Sequence, residues 1–173
     1  GIDPIAFLRA MFVNFKKGRL AQGGSTITQQ LAKNLFFSFE KSWVRKFKEL
    51  LIALQMESSF TKSAILEAYS NQIYFGNGAY GIDEASLLYF GKSSSKLTLL
   101  QAAMLAGTVR SPNKFNPLNN RETAIKRAKT VLTSMVREGF IDNIQKKNAL
   151  NSELELKQIK KSYNDNQYFV DTV

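Results

Sequence analysis

The chain has 173 residues, of which 44% are hydrophobic and 22% charged, and its formal net charge at pH 7 is +10. This length suits one well-packed domain and is short for two. The sequence contains no cysteine and no histidine, which excludes disulfides, thiolate metal sites and histidine acid-base catalysis within it. The positive charge predicts an anionic partner, and nucleic acid, acidic lipid headgroups and diphosphate esters all satisfy that description.

Helical periodicity dominates the chain, and helix start and stop signals punctuate it. A start is expected at Asp3 and Pro4, and stops are expected at Gly18 and Gly139. Two Thr-x-x-Gln patterns predict capping boxes, at Thr26 to Gln29 and at Thr98 to Gln101. No run of about 18 apolar residues is present, so no bilayer-spanning helix is predicted.

Two apolar stripes at helical spacing are expected to pack into a single core. The first consists of Trp43, Phe47, Leu50, Leu51 and Leu54, and the second of Ile125, Ala128, Leu132 and Met135. Glycine, serine, asparagine and proline cluster at residues 76–81, 91–95 and 111–120, which predicts loops. Beyond Asp142 the chain is polar and is expected to leave the core. The predicted organisation is a mostly helical domain at residues 1–142 followed by a connector at 143–173.

The stretch GGSTITQQLAKN (residues 23–34) opens on two glycines and two hydroxyl residues. A helix starting near Thr26 carries polar side chains on one face, at Ser25, Gln29 and Lys33. The roughly opposite face is expected to pack, through Ile27, Leu31 and Leu35. The glycines allow close backbone approach, and the helix start offers unpaired N–H groups, which is typical of an anion cradle. An ordinary capped helix with a solvated polar face explains the same pattern.

The following segment, KSWVRKFKE (residues 41–49), places Arg45 and Glu49 four residues apart with Lys46 and Lys48 beside them. This charged face lies opposite the stripe that contains Trp43. It is either part of the same anion-binding surface or a solvated ion pair worth about 0.3–0.5 kcal/mol.

Four segments, in chain order, resemble the conserved motifs of one family. GGSTITQQLAKN, RKFKE (residues 45–49) and KSAILEAYSNQIYFGNGAYGI (residues 62–82) resemble the second, third and fourth motifs of the peptidoglycan glycosyltransferases, and RSPNKFNP (residues 110–117) resembles the fifth. This family occurs in class A penicillin-binding proteins and monofunctional transglycosylases. The resemblance implies an all-α, lysozyme-like fold with a core lobe and a smaller membrane-proximal lobe.

The family polymerises lipid II into β-1,4-linked glycan strands with inversion and release of undecaprenyl diphosphate. The resemblance therefore implies lipid II, the growing glycan strand, a membrane surface and a phosphoglycolipid inhibitor of the moenomycin type as partners, and no nucleic acid. It places the protein at the cytoplasmic membrane, on the periplasmic or extracellular face.

The resemblance also assigns roles to individual residues. Glu49 is implied as catalytic, assisting departure of the leaving group directly or through a divalent cation (Mg²⁺ or Mn²⁺), and no organic cofactor is implied. Arg110 either binds substrate phosphate or closes a proline-bounded loop. Glu67, Asn71 and Tyr74 of the fourth motif are expected to be structural, with Glu67 and Asn71 pinning neighbouring loops. The implied substrate-binding residues are Gly24, Ser25, Thr26, Gln29, Gln30, Lys33, Asn34, Arg45, Lys46 and Arg110.

One expected residue is absent from the sequence. The family's first motif carries the glutamate that acts as general base, and it ends just before a segment resembling GIDP, the first four residues here. The general base is therefore expected upstream of Gly1. A truncated chain, omitted preceding residues or an inactive relative would each explain its absence.

The segment from Ile5 to Arg19 is apolar around most of its circumference and ends in three cations, Lys16, Lys17 and Arg19. Such a helix can lie in a membrane interface or be buried in a core.

Three other functions are also compatible with a basic, helical sequence. They are a basic helical nucleic-acid-binding module, a lysozyme-like muramidase that uses two carboxylates, and a catalytically silent cell-wall scaffold.

Overall fold

The computed structural model describes residues 24–37 and 42–157. The signals predicted at Asp3, Pro4 and Gly18 and the segment from Ile5 to Arg19 lie outside these ranges. The all-α fold class is confirmed, since the regular elements of the described ranges are helices apart from one small hairpin. The described elements, in order, are α1 (Ile27–Phe36), α2 (Trp43–Ser59), α3 (Lys62–Gln72), β1 (Tyr74–Gly76), β2 (Ala79–Tyr80), α4 (Ile82–Phe90), a 3-10 helix (Ser94–Lys96), α5 (Leu99–Thr108), α6 (Arg121–Arg137) and α7 (Asn143–Asn151).

The helix caps predicted within the described ranges are confirmed. Thr26 and Gln29 form a reciprocal capping box at the start of α1, and Thr98 and Gln101 form another at the start of α5. Helix α6 ends just before Gly139, whose φ of 77° is readily adopted by glycine. Side-chain caps that were not predicted occur at Ser42, Thr61, Asn120 and Asp142.

The main core lies where α4, α5 and α6 meet the hairpin. The stripe predicted on α6 is confirmed, because Ala128 and Leu132 are fully buried and Ile125 and Met135 pack against the same cluster. Gly107 of α5 permits this close approach, since a Cβ there would lie 2.8 Å from the Cγ of an arginine on α6.

A second, smaller cluster joins α1 to α3 through Leu31, Ile65 and Tyr69. Ile73 and Val109 pack against both clusters, so they mark the junction between them. Two hydrophobic clusters agree with a larger and a smaller lobe, and the membrane-proximal position of the smaller one stays a prediction.

The packing face predicted for α1 is only partly right. Leu31 is buried as expected, but Ile27 and Leu35 are exposed. The buried face runs instead through Thr28, Leu31 and Ala32. Thr28 can face inwards because its hydroxyl donates to a carboxylate on α2, so the polar group is satisfied where it is buried.

The stripe predicted on α2 is wrong as a core face. Phe47 is 61% exposed, and Leu51 and Leu54 are also exposed, whereas Ala53 is fully buried and Glu49 is 1% exposed. The helix therefore turns its charged face towards the protein and its apolar face outwards. The prediction for the side chain of Trp43 is not tested, because that side chain lies outside the described part of the structure.

The loop predicted at residues 76–81 contains part of a β-hairpin. Strands β1 and β2 pair antiparallel, with Tyr74 opposite Tyr80. The turn between them uses Asn77 and Gly78, whose φ values are 50° and 82°, the positive values that a tight hairpin turn requires. Residues 111–120 form irregular turns, as predicted.

The chain does not leave the core at Asp142, contrary to expectation. Ala149 of α7 and Leu154 belong to the main cluster, and the backbone N–H of Lys157 donates to the carbonyl of Tyr89 at 2.8 Å. At least residues 143–157 therefore pack on the domain, and the proposed division at residues 1–142 and 143–173 stays a prediction.

Gly81 offers a test of how closely α3 and α4 meet. Its φ is 88°, and a Cβ there would lie 2.7 Å from the carbonyl oxygen of Asn71. Gly139 has a similar φ of 77° and open space around it. We expect Gly139→Ala to lower the free energy of unfolding by about 1–2 kcal/mol, the cost of a positive φ for an L-residue. Gly81→Ala should cost clearly more, measured by urea unfolding, and equal costs would contradict this account of the contact.

Candidate active site

The candidate site centres on the carboxylate of Glu49, which α2 buries against α1. One turn earlier, Nε of Arg45 lies 3.0 Å from Oε1 of Glu49, within ion-pair distance although the N–H is not aligned as in a hydrogen bond. Nζ of Lys46 lies 2.7 Å from Oε2. The carboxylate is 2% exposed, the Arg45 side chain 18% and the Lys46 side chain 39%. A buried carboxylate is costly without compensating charge, and here two cations supply it.

Lys46 also connects α2 to the start of α1. Its Nζ donates to Oγ of Ser25 at 2.8 Å as well as to Glu49. The predicted pairing of Arg45 with Glu49 is confirmed, whereas the contacts of Lys46 were not predicted. The three-residue spacing of Lys46 and Glu49 could have indicated one of them, but the contact with Ser25 spans 21 residues and leaves no local signal.

Two residues expected to bind substrate also hold the start of α1 in place. Oε1 of Gln29 accepts from the backbone N–H of Thr26, and Gln29 is buried. Nε2 of Gln30 donates to the carbonyl of Ser25, and its Oε1 accepts from the hydroxyl of Tyr69. Gln29 is therefore not the exposed donor that its helical position predicted. Roles for Gln29 and Gln30 towards a substrate stay predictions.

The other polar residues of α1 have more freedom. Lys33 is half-buried and Asn34 is exposed. No ion pair of Lys33 occurs within residues 24–37 and 42–157, so its charge is not neutralised by a neighbour in the described part of the chain. Gly24 and Ser25 are half-buried and lie directly before the cap. Of these residues, Ser25 is linked to Glu49 through Lys46.

A second set of polar contacts, centred on Glu57 of α2, joins α1, α2 and α3. The Thr28 hydroxyl and the Lys62 ammonium both donate to the carboxylate of Glu57 on α2. These contacts, with Lys62 the larger cause, hold the pKa of Glu57 well below its usual range. The network fixes α1, α2 and α3 relative to one another, which supports the geometry around Glu49.

The fourth-motif residues do not gather at Glu49. Glu67 and Asn71 are exposed, and neither side chain makes a hydrogen bond within the described ranges, so the interpretation that they pin loops gains no support. Tyr74 lies in β1 with its ring 4.9 Å from that of Tyr80. Tyr74 therefore does not share a helix with Glu67 and Asn71, because α3 ends at Gln72.

Arg110 follows α5 and is exposed, next to the junction of the two clusters. The adjoining loop is held by the buried side chains of Thr108 and Asn116, which bond to its backbone. Arg127 of α6 lies over the ring of Phe115, and burial, followed by the nearby charge of Arg110, lowers its pKa. Both interpretations of Arg110, phosphate binding and loop closure, stay predictions.

The described residues offer few further ligands for a divalent cation at Glu49. Within the two described ranges, no group of three or more acidic side chains comes together as a metal ligand set. Both oxygens of Glu49 already face cations, which would compete with a metal ion. The described residues do not by themselves form a metal centre, and a divalent cation stays an expectation from the resemblance.

The ion pairs around Glu49 predict that Lys46 and Lys48 contribute differently to the free energy of unfolding. Lys46→Met should lower the free energy of unfolding by about 1–2 kcal/mol, because a buried carboxylate loses one cation while the lysine's partial exposure limits the loss. Lys48→Met is the matched control, since Lys48 is exposed and makes no ion pair with a described residue. Urea unfolding of both variants at pH 7 measures the difference, and equal stabilities would show that Lys46 does not stabilise buried Glu49.

Comparison with known proteins identifies the family of the chain. A family model described as Transglycosylase matches residues 1–136. Penicillin-binding protein 1A of Aquifex aeolicus (strain VF5) is 48% identical over 173 residues, which is 100% of this chain and 24% of that protein. Penicillin-binding protein 1A of Escherichia coli (strain K12) is 45% identical over 145 residues, covering 84% of this chain and 17% of that protein.

A solved structure is also similar. The crystal structure of penicillin-binding protein 1A from Haemophilus influenzae matches with a TM-score of 0.51 and 25% identity, covering 79% of this chain and 17% of that one. The chain spans at most 24% of the length of these three relatives. The nucleic-acid-binding and muramidase alternatives are not favoured by any of these matches. The match over residues 1–136 confirms the resemblance seen in the four motifs: the chain belongs to the transglycosylase family.

Proposed function

We propose that this domain is a peptidoglycan glycosyltransferase, which polymerises lipid II into β-1,4-linked glycan strands with inversion and releases undecaprenyl diphosphate. Membership of the transglycosylase family supports the reaction class. The observation that carries the proposal at the level of residues is the buried carboxylate of Glu49, held between Arg45 and Lys46 beside the helix start at Ser25.

The proposed reaction needs positive charge where the diphosphate leaves, because negative charge develops on its oxygens in the transition state. Arg45 and Lys46 supply two cations, and the start of α1 supplies backbone N–H groups with a partial positive charge. Lys33, two turns along α1 from Ser25, adds a third cation. We infer that these groups bind the donor's diphosphate and stabilise it as it departs.

Glu49 is better suited to hold cations than to remove a proton. Each of its oxygens contacts a cation, which leaves little room for the acceptor sugar's hydroxyl to approach. We therefore infer that Glu49 orients Arg45 and Lys46 towards the leaving group. We infer that a group other than Glu49 removes the proton from the acceptor hydroxyl.

We further propose that the domain acts at the outer face of the cytoplasmic membrane, because lipid II keeps its polyprenyl chain in the bilayer. No helix within the described ranges is long and apolar enough to cross a membrane. The outward apolar side of α1 and α2 supports contact with a lipid surface, since such exposed patches mark interaction sites. It comprises Ile27, Leu35, Phe36, Val44, Phe47, Leu51, Leu54 and Phe60.

The same site is proposed to bind two further ligands, the growing glycan strand and a phosphoglycolipid of the moenomycin type. The strand carries a lipid-linked diphosphate when it serves as donor, and moenomycin carries a phosphate on a lipid chain. Both would place an anion among Lys33, Arg45 and Lys46.

The proposal predicts that Lys33 is needed for turnover and not for folding. Lys33→Met in the full-length protein should lower kcat/KM for lipid II polymerisation by about 10²-fold or more, the usual loss for one group that stabilises transition-state charge. The melting temperature should stay within a few degrees, because no ion pair in the described structure is lost. Lys48→Met is the control, with expected activity close to wild type. Wild-type turnover in the Lys33 variant would contradict the assignment of the diphosphate site.

A further inference from the structure

Tyr69 of α3 makes a contact that its role in the core does not require. The residue is 8% exposed, and its ring packs with Leu31 and Ile65 in the smaller cluster. Its hydroxyl nevertheless donates to Oε1 of Gln30 on α1, at 3.2 Å. A phenylalanine would fill the same space, so the hydroxyl serves the hydrogen bond and not the packing.

Gln30 connects Tyr69 to the segment that precedes α1, because its side chain bonds to both. Its Nε2 donates to the carbonyl oxygen of Ser25 at 3.3 Å. Because that oxygen can only accept, the amide must present its nitrogen to Ser25 and its oxygen to Tyr69. The hydroxyl of Tyr69 is therefore the donor, and it fixes the orientation of the Gln30 amide.

Ser25 then connects this chain of hydrogen bonds to the candidate active site. Its Oγ accepts from Nζ of Lys46 at 2.8 Å, and the same Nζ lies 2.7 Å from Oε2 of Glu49. The capping box fixes Thr26, but it does not hold the carbonyl of Ser25, and Gly24 before it adds backbone freedom. Gln30 supplies that missing anchor.

We propose that Tyr69 is a positioning residue for the glycosyl transfer, acting through Gln30 on Ser25 so that Ser25 meets Lys46, the cation that pairs with Glu49. The catalytic consequence rests on the proposed function, and the positional consequence does not. A tyrosine hydroxyl is protonated at physiological pH and can donate, and burial raises the pKa of Tyr69 further.

Tyr69→Phe tests the proposal, with Tyr89→Phe as the matched control. Tyr89 is also a buried tyrosine, and its hydroxyl donates to the carbonyl of Phe75 at 2.9 Å in the main core, where it contacts none of the proposed site residues. Both variants lose one hydroxyl and keep the ring. In the full-length protein, kcat for lipid II polymerisation should fall about three- to tenfold for Tyr69→Phe, the effect of one lost hydrogen bond, and stay within about twofold of wild type for Tyr89→Phe. Unchanged kcat for Tyr69→Phe would overturn the catalytic part.

A double-mutant cycle separates positioning from general destabilisation. In a Gln30→Met background the chain of hydrogen bonds is already broken, so Tyr69→Phe should cause no further loss of kcat. Multiplying losses in the double variant would mean that Tyr69 acts independently of Gln30, and would overturn the proposal.

Hydrogen exchange tests the positional part without relying on activity. Backbone amides of residues 24–30 should exchange about threefold or more faster in Tyr69→Phe than in wild type, and those amides should be unaffected in Tyr89→Phe. Unchanged exchange in Tyr69→Phe would overturn the proposed anchoring. If wild-type protein failed to polymerise lipid II while exchange changed as expected, the proposed function would fail and the anchoring of Ser25 would stand.

Discussion

The buried carboxylate of Glu49 is the constraint on which the rest of the site depends. A carboxylate with almost no solvent contact must be neutralised, and Arg45 and Lys46 provide the charge from the same helix. With this carboxylate buried, the charged face of α2 points inwards, and there Lys46 also donates to Ser25 before α1. The ion pairs thus accompany the inward orientation of this face, and Lys46 joins it to a helix N-terminus.

This orientation has a consequence on the opposite side of α2. Helical geometry places Phe47, Leu51 and Leu54 away from the face that carries Glu49, so they stay exposed. Such a surface is unfavourable in water and favourable against lipid. If the proposed function is right, the two faces of α2 have complementary uses. One face is proposed to bind the substrate's diphosphate, and the other is proposed to meet the membrane that holds its polyprenyl chain.

The parts of the structure with local signals were predictable from sequence. Capping at Thr26 and Thr98, the core stripe on α6 and the pairing of Arg45 with Glu49 all depend on residues within four positions. Periodicity revealed an apolar face on α2, but it could not determine whether that face is buried against the protein or exposed. The contacts of Lys46 with Ser25 and of Tyr69 with Gln30 could not be predicted from sequence, because they join segments that are distant along the chain. The hairpin was missed although Asn77 and Gly78 are a typical turn pair.

Whether Glu49 organises cations for an anionic ligand is tested most directly by moenomycin binding to Glu49→Gln in the full-length protein. The substitution removes a negative charge, so simple electrostatics predicts tighter binding of the phosphoglycolipid. If Glu49 holds Arg45 and Lys46 in place, binding should instead weaken by about tenfold or more, the loss of roughly one charge-assisted contact. Unchanged or tighter binding by a variant that remains folded would contradict the account.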